Sequence, residues 1–271
     1  MLPSYGAELL KLRKRPAVWV LFGVWMTLLL LFTYLFPYLS YRSSGRPQLL
    51  TQLLPSHLPQ QAITGYPMWG GALIVVLGAL SLGSEYGWGT LRTMLSNRPS
   101  RLTVYAAQVA TLLTALAALV VVAFGLSAAI STIIAQSAGA SITAPDLGDL
   151  ARAMASGWLI LSMWCLFGVV LAILFRGLAL SIGLGLVWIL AIENLVRGTA
   201  PLIDLLGRIE KGLPGVNAGS LVAALGSTPS GGGFTGIGAI VSGSQALWVV
   251  LLYLVVFGGG GAFVLWWRDV Q

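Results

Sequence analysis

Six long apolar runs dominate the sequence, at about residues 17–38, 68–83, 104–134, 156–175, 178–196 and 246–267. Runs of about 20 apolar residues match the ~30 Å hydrocarbon core of a bilayer. Because they are continuous rather than alternating, they favour helices over the strands of a barrel. Only 8% of the 271 residues are charged, far fewer than in a soluble domain. The sequence therefore predicts an all-α integral membrane protein of six transmembrane helices, with residues 1–271 forming a single domain.

The cations are concentrated next to alternate ends of these runs. If the N-terminus is inside, the short inner segments hold nine Lys and Arg residues, and the longer outer segments hold six. This bias predicts that both termini are cytoplasmic. The net charge of +7 then indicates anionic lipid headgroups as partners rather than nucleic acid. The residues predicted to bind headgroups are Lys11, Arg13, Lys14, Arg15, Arg98 and Arg101.

Residues 1–16 carry a pattern typical of an interfacial helix. Leu2, Tyr5, Leu9 and Leu12 recur at helical spacing, and the basic residues around Lys11 lie off that stripe. Such a helix is suited to lie in the inner membrane interface. The alternative is a frayed basic tail.

Enzyme and metal motifs are missing from the sequence. No G-x-x-x-x-G-K-[ST] occurs, and the glycines of "GGGFTG" follow no predicted strand. The single histidine, His57, has no nearby carboxylate or cysteine, so no metal site is expected. The only cysteine, Cys165, lies inside an apolar run and is predicted to be a packing residue. We expect no catalytic residue and no cofactor bound by this chain.

The outer segments raise further expectations. The segment from Arg42 to Tyr66 is punctuated by prolines and is predicted to be a loop. The outer loop 197–245 contains "PLIDLLGRIEKGLP" and "GSLVAALG", each apolar enough for a short helix. Glu193 and Arg197, one helical turn apart, are interpreted either as an ion pair at the outer boundary or as polar groups on a substrate path.

Glycines also recur within the last two runs, at positions 183, 185 and 258–261. Small residues let transmembrane helices approach closely. The alternative is a hinge, because glycine weakens a helix.

The segment "SEYGWGTLRTMLSNRPSR", residues 84–101, is unusually polar and aromatic for a connection between spans. Ser84 is expected to cap a new helix, with Glu85 in its first turn. Trp88, Leu91 and Leu95 then form an apolar stripe, and Asn97 and Pro99 end the helix. The pattern predicts a short amphipathic helix, 85–96, at the cytosolic face. A basic loop that only fixes topology is the simpler alternative.

This segment resembles the E-x-x-x-G-T-L-R motif of type-2 ABC exporter permeases, in which it follows the second span and supplies the coupling helix. Glu85, Gly89, Thr90, Leu91 and Arg92 fit the motif, as do Leu95, Pro99 and Arg101 after it. The six runs, the N-terminal helix and the large last outer loop agree with the family's architecture. Where many members have a lysine early in the third span, this chain has Gln108.

The resemblance implies a permease subunit in a prokaryotic plasma membrane, working with a second permease copy or homologous permease. Two separate ABC ATPase subunits would bind the ATP and Mg, and transport would be outward. The residues implied to contact the ATPases are Glu85, Tyr86, Trp88, Gly89, Thr90, Leu91, Arg92 and Leu95. The alternatives are a secondary transporter that works without an ATPase, and a membrane scaffold or sensor that transports nothing.

Overall fold

The computed structural model describes residues 2–87, 100–227 and 236–267. Within these ranges the chain forms helices and turns and no strand. Six helical segments are long and apolar enough to cross a membrane, which confirms the predicted all-helical fold with six spans. In order, they are Pro16–Ser44, Pro55–Glu85, Arg101–Ser137, Leu147–Phe175, Leu178–Leu202 and Gly243–Trp267. The N-terminal helix, Leu2–Lys14, precedes them.

Because successive spans run in opposite directions, the bundle has two ends. We call the end that carries the N-terminal helix and residues 87 and 101 the proximal end. The distal end carries residues 138–146, 203–227 and 236–242. Two short distal helices, Asp204–Glu210 and Pro214–Ala224, confirm the predicted helices in the last loop.

The second span is longer than the predicted 68–83, and most of the proline-rich segment before it is helical rather than a loop. Short helices at Pro47–Leu53, Pro55–His57 and Leu58–Ala62 lead into the helix Gly71–Gly87. The prediction was wrong because each proline occupies the first or second position of a helix or helical turn, where its missing N–H costs nothing. All three short helices contact the third span, and Leu58–Ala62, which is largely buried, also contacts the fourth span.

The second and fourth spans form the tightest contact of the bundle. A Cβ atom added to Gly78 would overlap the carbonyl of Cys165, and one added to Gly168 would overlap the carbonyl of Val75. Only glycine allows the two backbones to come so close. Cys165 is fully buried, as the packing prediction required.

The six glycines singled out from the sequence differ in their contacts, and at Gly258 an added Cβ would make an ordinary contact with Leu166 at 3.5 Å. Gly185 packs against Val75, and Gly261 packs against Tyr105, so close packing is confirmed at these two positions. Open space surrounds Gly183, Gly259 and Gly260. These three glycines lie outside the helix contacts, so packing does not account for them.

Three of the spans contain one widened turn with i→i+5 hydrogen bonding, at Leu31–Leu35, Tyr66–Gly70 and Trp188–Ile192. Each such turn inserts an extra residue and rotates the helical face beyond it. Tyr34 and Tyr66 lie within two of these turns, and both are buried, at most 2% exposed.

Candidate functional site

A buried cluster of charged side chains joins the N-terminal helix to the end of the second span. Lys11 Nζ lies 2.6 Å from Glu85 Oε1 and 2.7 Å from Glu8 Oε1. Arg15 Nη2 lies 3.8 Å from the same oxygen of Glu85. Glu85 is only 2% exposed, so its charge is compensated by the two cations rather than by water. We call these four residues the proximal charge cluster.

Arg15 extends this connection to backbone atoms of the second span. Its Nη1 donates to the carbonyl oxygens of Leu80 and Ser81, both at 3.3 Å. Gln108 of the third span donates its Nε2 to the carbonyl of Ser81 at 3.0 Å. A cation near the C-terminal end of a helix also complements the helix dipole. Three elements, namely the N-terminal helix, the second span and the third span, therefore meet at one turn of the second span.

The N-terminal helix meets the protein with its charged residues Glu8 and Lys11 and with Leu12, which packs against the core. Glu8, Lys11 and Arg15 point inward, whereas Leu9 and Leu10 are exposed. The exposed leucines suit a membrane interface, which stays a prediction. The sequence does contain a signal for the inward face that we missed, since Glu8, Lys11 and Arg15 recur at i, i+3 and i+7.

The residues predicted to bind lipid headgroups separate into two groups. Lys11 and Arg15 belong to the proximal charge cluster. Arg13 and Lys14 are exposed, and Arg101 is partly buried at the first position of the third span. Arg98 lies outside the described residues.

The start of the predicted coupling helix requires a correction. The helix Gly71–Gly87 runs straight through Ser84, whose Oγ donates to the carbonyl of Leu80, so Ser84 does not cap a new helix. Glu85 lies in the last turns of this helix because the cluster neutralises its charge. The cap in this region is Ser100, whose Oγ accepts from the Thr103 N–H as the third span begins.

Of the predicted ATPase-coupling residues, the structure describes Glu85 and the backbone of Tyr86. Tyr86 continues the helix of the second span. Trp88, Gly89, Thr90, Leu91, Arg92 and Leu95 lie outside the described residues. Within the part of the coupling set that the structure describes, Glu85 contacts two other predicted site residues, Lys11 and Arg15.

At the distal end, Glu193 and Arg197 are bound to different partners. Glu193 Oε1 accepts from Trp188 Nε1 at 3.0 Å and from the Gly215 N–H at 3.1 Å. Arg197 Nη1 donates to the carbonyl of Gly236 at 3.1 Å. Among the described residues no ion pair within 4 Å joins the two, so the predicted direct pair is not formed.

These bonds give Glu193 and Arg197 a structural role at the distal loop. Gly215 is the second residue of the helix Pro214–Ala224, and a carboxylate there complements the positive end of that helix. A Cβ on Gly215 would overlap the carboxylate of Glu193, so the close approach requires glycine. Glu193 binds the start of the helix Pro214–Ala224 to the fifth span, and Arg197 binds Gly236 to the same span.

The architecture and the proximal charge cluster can be compared with known proteins. The family model described as ABC-2 family transporter protein matches residues 6–192, which is more than half of the chain. The chain belongs to the ABC-2 transporter family. The match to this ABC-2 permease includes all of the proximal charge cluster and the whole segment 84–101. A comparison with individual curated proteins gives no match.

Membership of this family decides the broad class of the protein. The chain is a multi-pass membrane protein and a transporter permease. ABC-2 permeases are membrane subunits that are typically not catalytic themselves. Within the described residues of this permease, no group of His, Cys, Asp and Glu has the geometry of a metal site.

Proposed function

We propose that this ABC-2 permease forms the translocation path of an ATP-driven exporter and is driven by two separate ABC ATPase subunits. The ATPases bind ATP and Mg, and a second permease copy or a homologous permease completes the path. The proximal end faces the cytoplasm of a prokaryotic cell, in agreement with the cations of its short segments. Residues 85–96 make the contact with the ATPases.

The proximal charge cluster is the observation that carries this proposal. Glu85 is both the first residue of the family-like motif and the buried partner of Lys11 and Arg15. Movement of the segment after Glu85 therefore reaches the second span through the continuous helix Gly71–Gly87 and the N-terminal helix through the ion pairs. The third span follows directly after Ser100. Such coupled rigid-body movement is the kind that exposes a path alternately to the two sides.

For the cargo of this exporter, the sequence supports a class of molecules rather than a single compound. The spans carry few charges, so a path between two permease copies is mostly apolar. Such a path suits hydrophobic or amphiphilic molecules, because a strongly charged cargo pays a large desolvation cost in apolar surroundings.

The test uses proteoliposomes that contain the permease and the ATPase that co-purifies with it. Glu85→Gln and Lys11→Gln remove the central ion pair without adding bulk. We expect both variants to insert and to retain the ATPase, but to lose most of the ATP hydrolysis that the permease stimulates. Asp149→Asn is the matched control, because it breaks an exposed ion pair with Arg152 at the distal end.

Two results would overturn the proposal. The first is unchanged stimulation in both cluster variants. The second is transport by the purified permease with no P-loop subunit present, which would identify a secondary transporter.

A further inference from the structure

An apolar groove of about 560 Å³ lies between the N-terminal helix, the first span and the third span. This volume lies within the range of small-molecule sites, about 300–1,000 Å³. Val18, Phe22 and Met26 line one wall, and Ala115, Ala118 and Val122 line the other. At 1.5 Å per residue, the wall from Val18 to Met26 is about 12 Å long. The groove therefore runs for about 12 Å beside the proximal end, and we call it the slot.

The mouth of this groove is cationic. Among the described residues, Arg13 is the one charged side chain that lines it, and Lys14 is the next residue along the chain. Both are exposed, whereas Lys11 and Arg15 turn away into the proximal charge cluster. Trp19 is 59% exposed and donates its Nε1 to the carbonyl of Arg13 at 2.8 Å. Exposed tryptophan beside basic residues is typical of the headgroup level of a membrane.

We propose that the groove binds one anionic glycerophospholipid, with an acyl chain along the apolar walls and the phosphate held by Arg13 and Lys14. Charge complementarity selects this occupant, since cations lie at one end of the slot and the rest of the lining is apolar. An extended peptide fits poorly, because the apolar walls offer no partners for its backbone N–H and C=O groups. The proposal goes beyond the proposed function, because binding of this lipid requires no ATPase.

The experiment measures lipid binding to the intact permease in detergent. Delipidated protein is titrated with dipalmitoyl-phosphatidylglycerol or with dipalmitoyl-phosphatidylcholine, and bound lipid is counted by native mass spectrometry. We expect one phosphatidylglycerol to bind per chain, at least about ten-fold more tightly than phosphatidylcholine. Arg13→Gln combined with Lys14→Gln should remove this preference, whereas Arg42→Gln, an exposed cation at the distal end, should leave it intact.

A second variant fills the groove itself. Gly23 lines the groove, and a Cβ added there meets no atom within 4 Å, so Gly23→Leu can extend its side chain into the slot. We expect this variant to lose at least about ten-fold in affinity for phosphatidylglycerol. Gly183→Leu is the matched control, because Gly183 is also exposed and surrounded by open space.

Three outcomes would overturn the lipid proposal. The first is equal binding of the two lipids by the wild-type chain. The second is wild-type affinity in Gly23→Leu. The third is efficient disulfide formation between two copies through Gly23→Cys, which would show that a second copy covers the groove. All three measurements are independent of ATP hydrolysis, so they can fail while the proposed function stands.

Discussion

The ion pair between Lys11 and Glu85 should stabilise the fold measurably, and a double-mutant cycle isolates its contribution. The cycle compares Lys11→Met, Glu85→Gln and the combined variant with the wild type. At 2.6 Å, two unit charges in an effective dielectric of 20 attract by roughly 6 kcal/mol. Desolvation offsets much of this attraction, because Glu85 is 2% exposed and Lys11 is 25% exposed. We therefore expect a coupling energy of about 2–3 kcal/mol, or roughly 30- to 140-fold in the unfolding equilibrium constant.

The assay is equilibrium unfolding in mixed micelles, followed by tryptophan fluorescence as the fraction of denaturing detergent rises. The cycle is repeated on Asp149 and Arg152, which form an i,i+3 pair with 48% and 73% of their side chains exposed. That surface pair should show a coupling energy below about 0.5 kcal/mol. If the two pairs gave the same coupling energy, the inference that Glu85 is held in a buried cluster would be refuted.

Three further changes test the helix contacts. Gly78→Leu should prevent the second and fourth spans from packing, so the peak of folded protein in size-exclusion chromatography should disappear. Gly259→Leu should keep that peak, because open space surrounds Gly259. Gly215→Ala should destabilise the distal loop by about 1–3 kcal/mol, because the added methyl group overlaps the Glu193 carboxylate. The measurement is amide hydrogen exchange, which should become faster in Pro214–Ala224. Unchanged exchange would contradict the close contact between Gly215 and Glu193. Ser100→Ala should cost about 1 kcal/mol by removing the cap of the third span, measured as a lower unfolding midpoint.

The sequence was sufficient to predict the number of spans and the helical class. Apolar length alone carries this information, because every backbone polar group in a bilayer must be satisfied within its own segment. The ends of the spans were harder to predict. Prolines at Pro47 and Pro55 looked like loop signals, yet at the first or second position of a helix a proline starts the helix rather than breaking it.

The candidate site was predicted only in part, because its partners are distant in the sequence. Glu85 was identified from the motif, but its pairing with Lys11 joins residues 74 positions apart, which no local periodicity reveals. Glu193 illustrates the same limit. Local spacing favoured Arg197 as its partner, whereas the folded chain offers the N-terminus of a helix that begins at Pro214.

The close approach of Gly78 to the fourth span also has a consequence for biosynthesis. Gly168, which completes this contact, leaves the ribosome 90 residues after Gly78. During that interval the second span has been synthesised, but the fourth span, which packs against its glycine-lined face, has not yet been synthesised. Nascent chains that stop before the fourth span should therefore depend on an insertase or chaperone to shield that face, and should be cleared by membrane proteases when none is available.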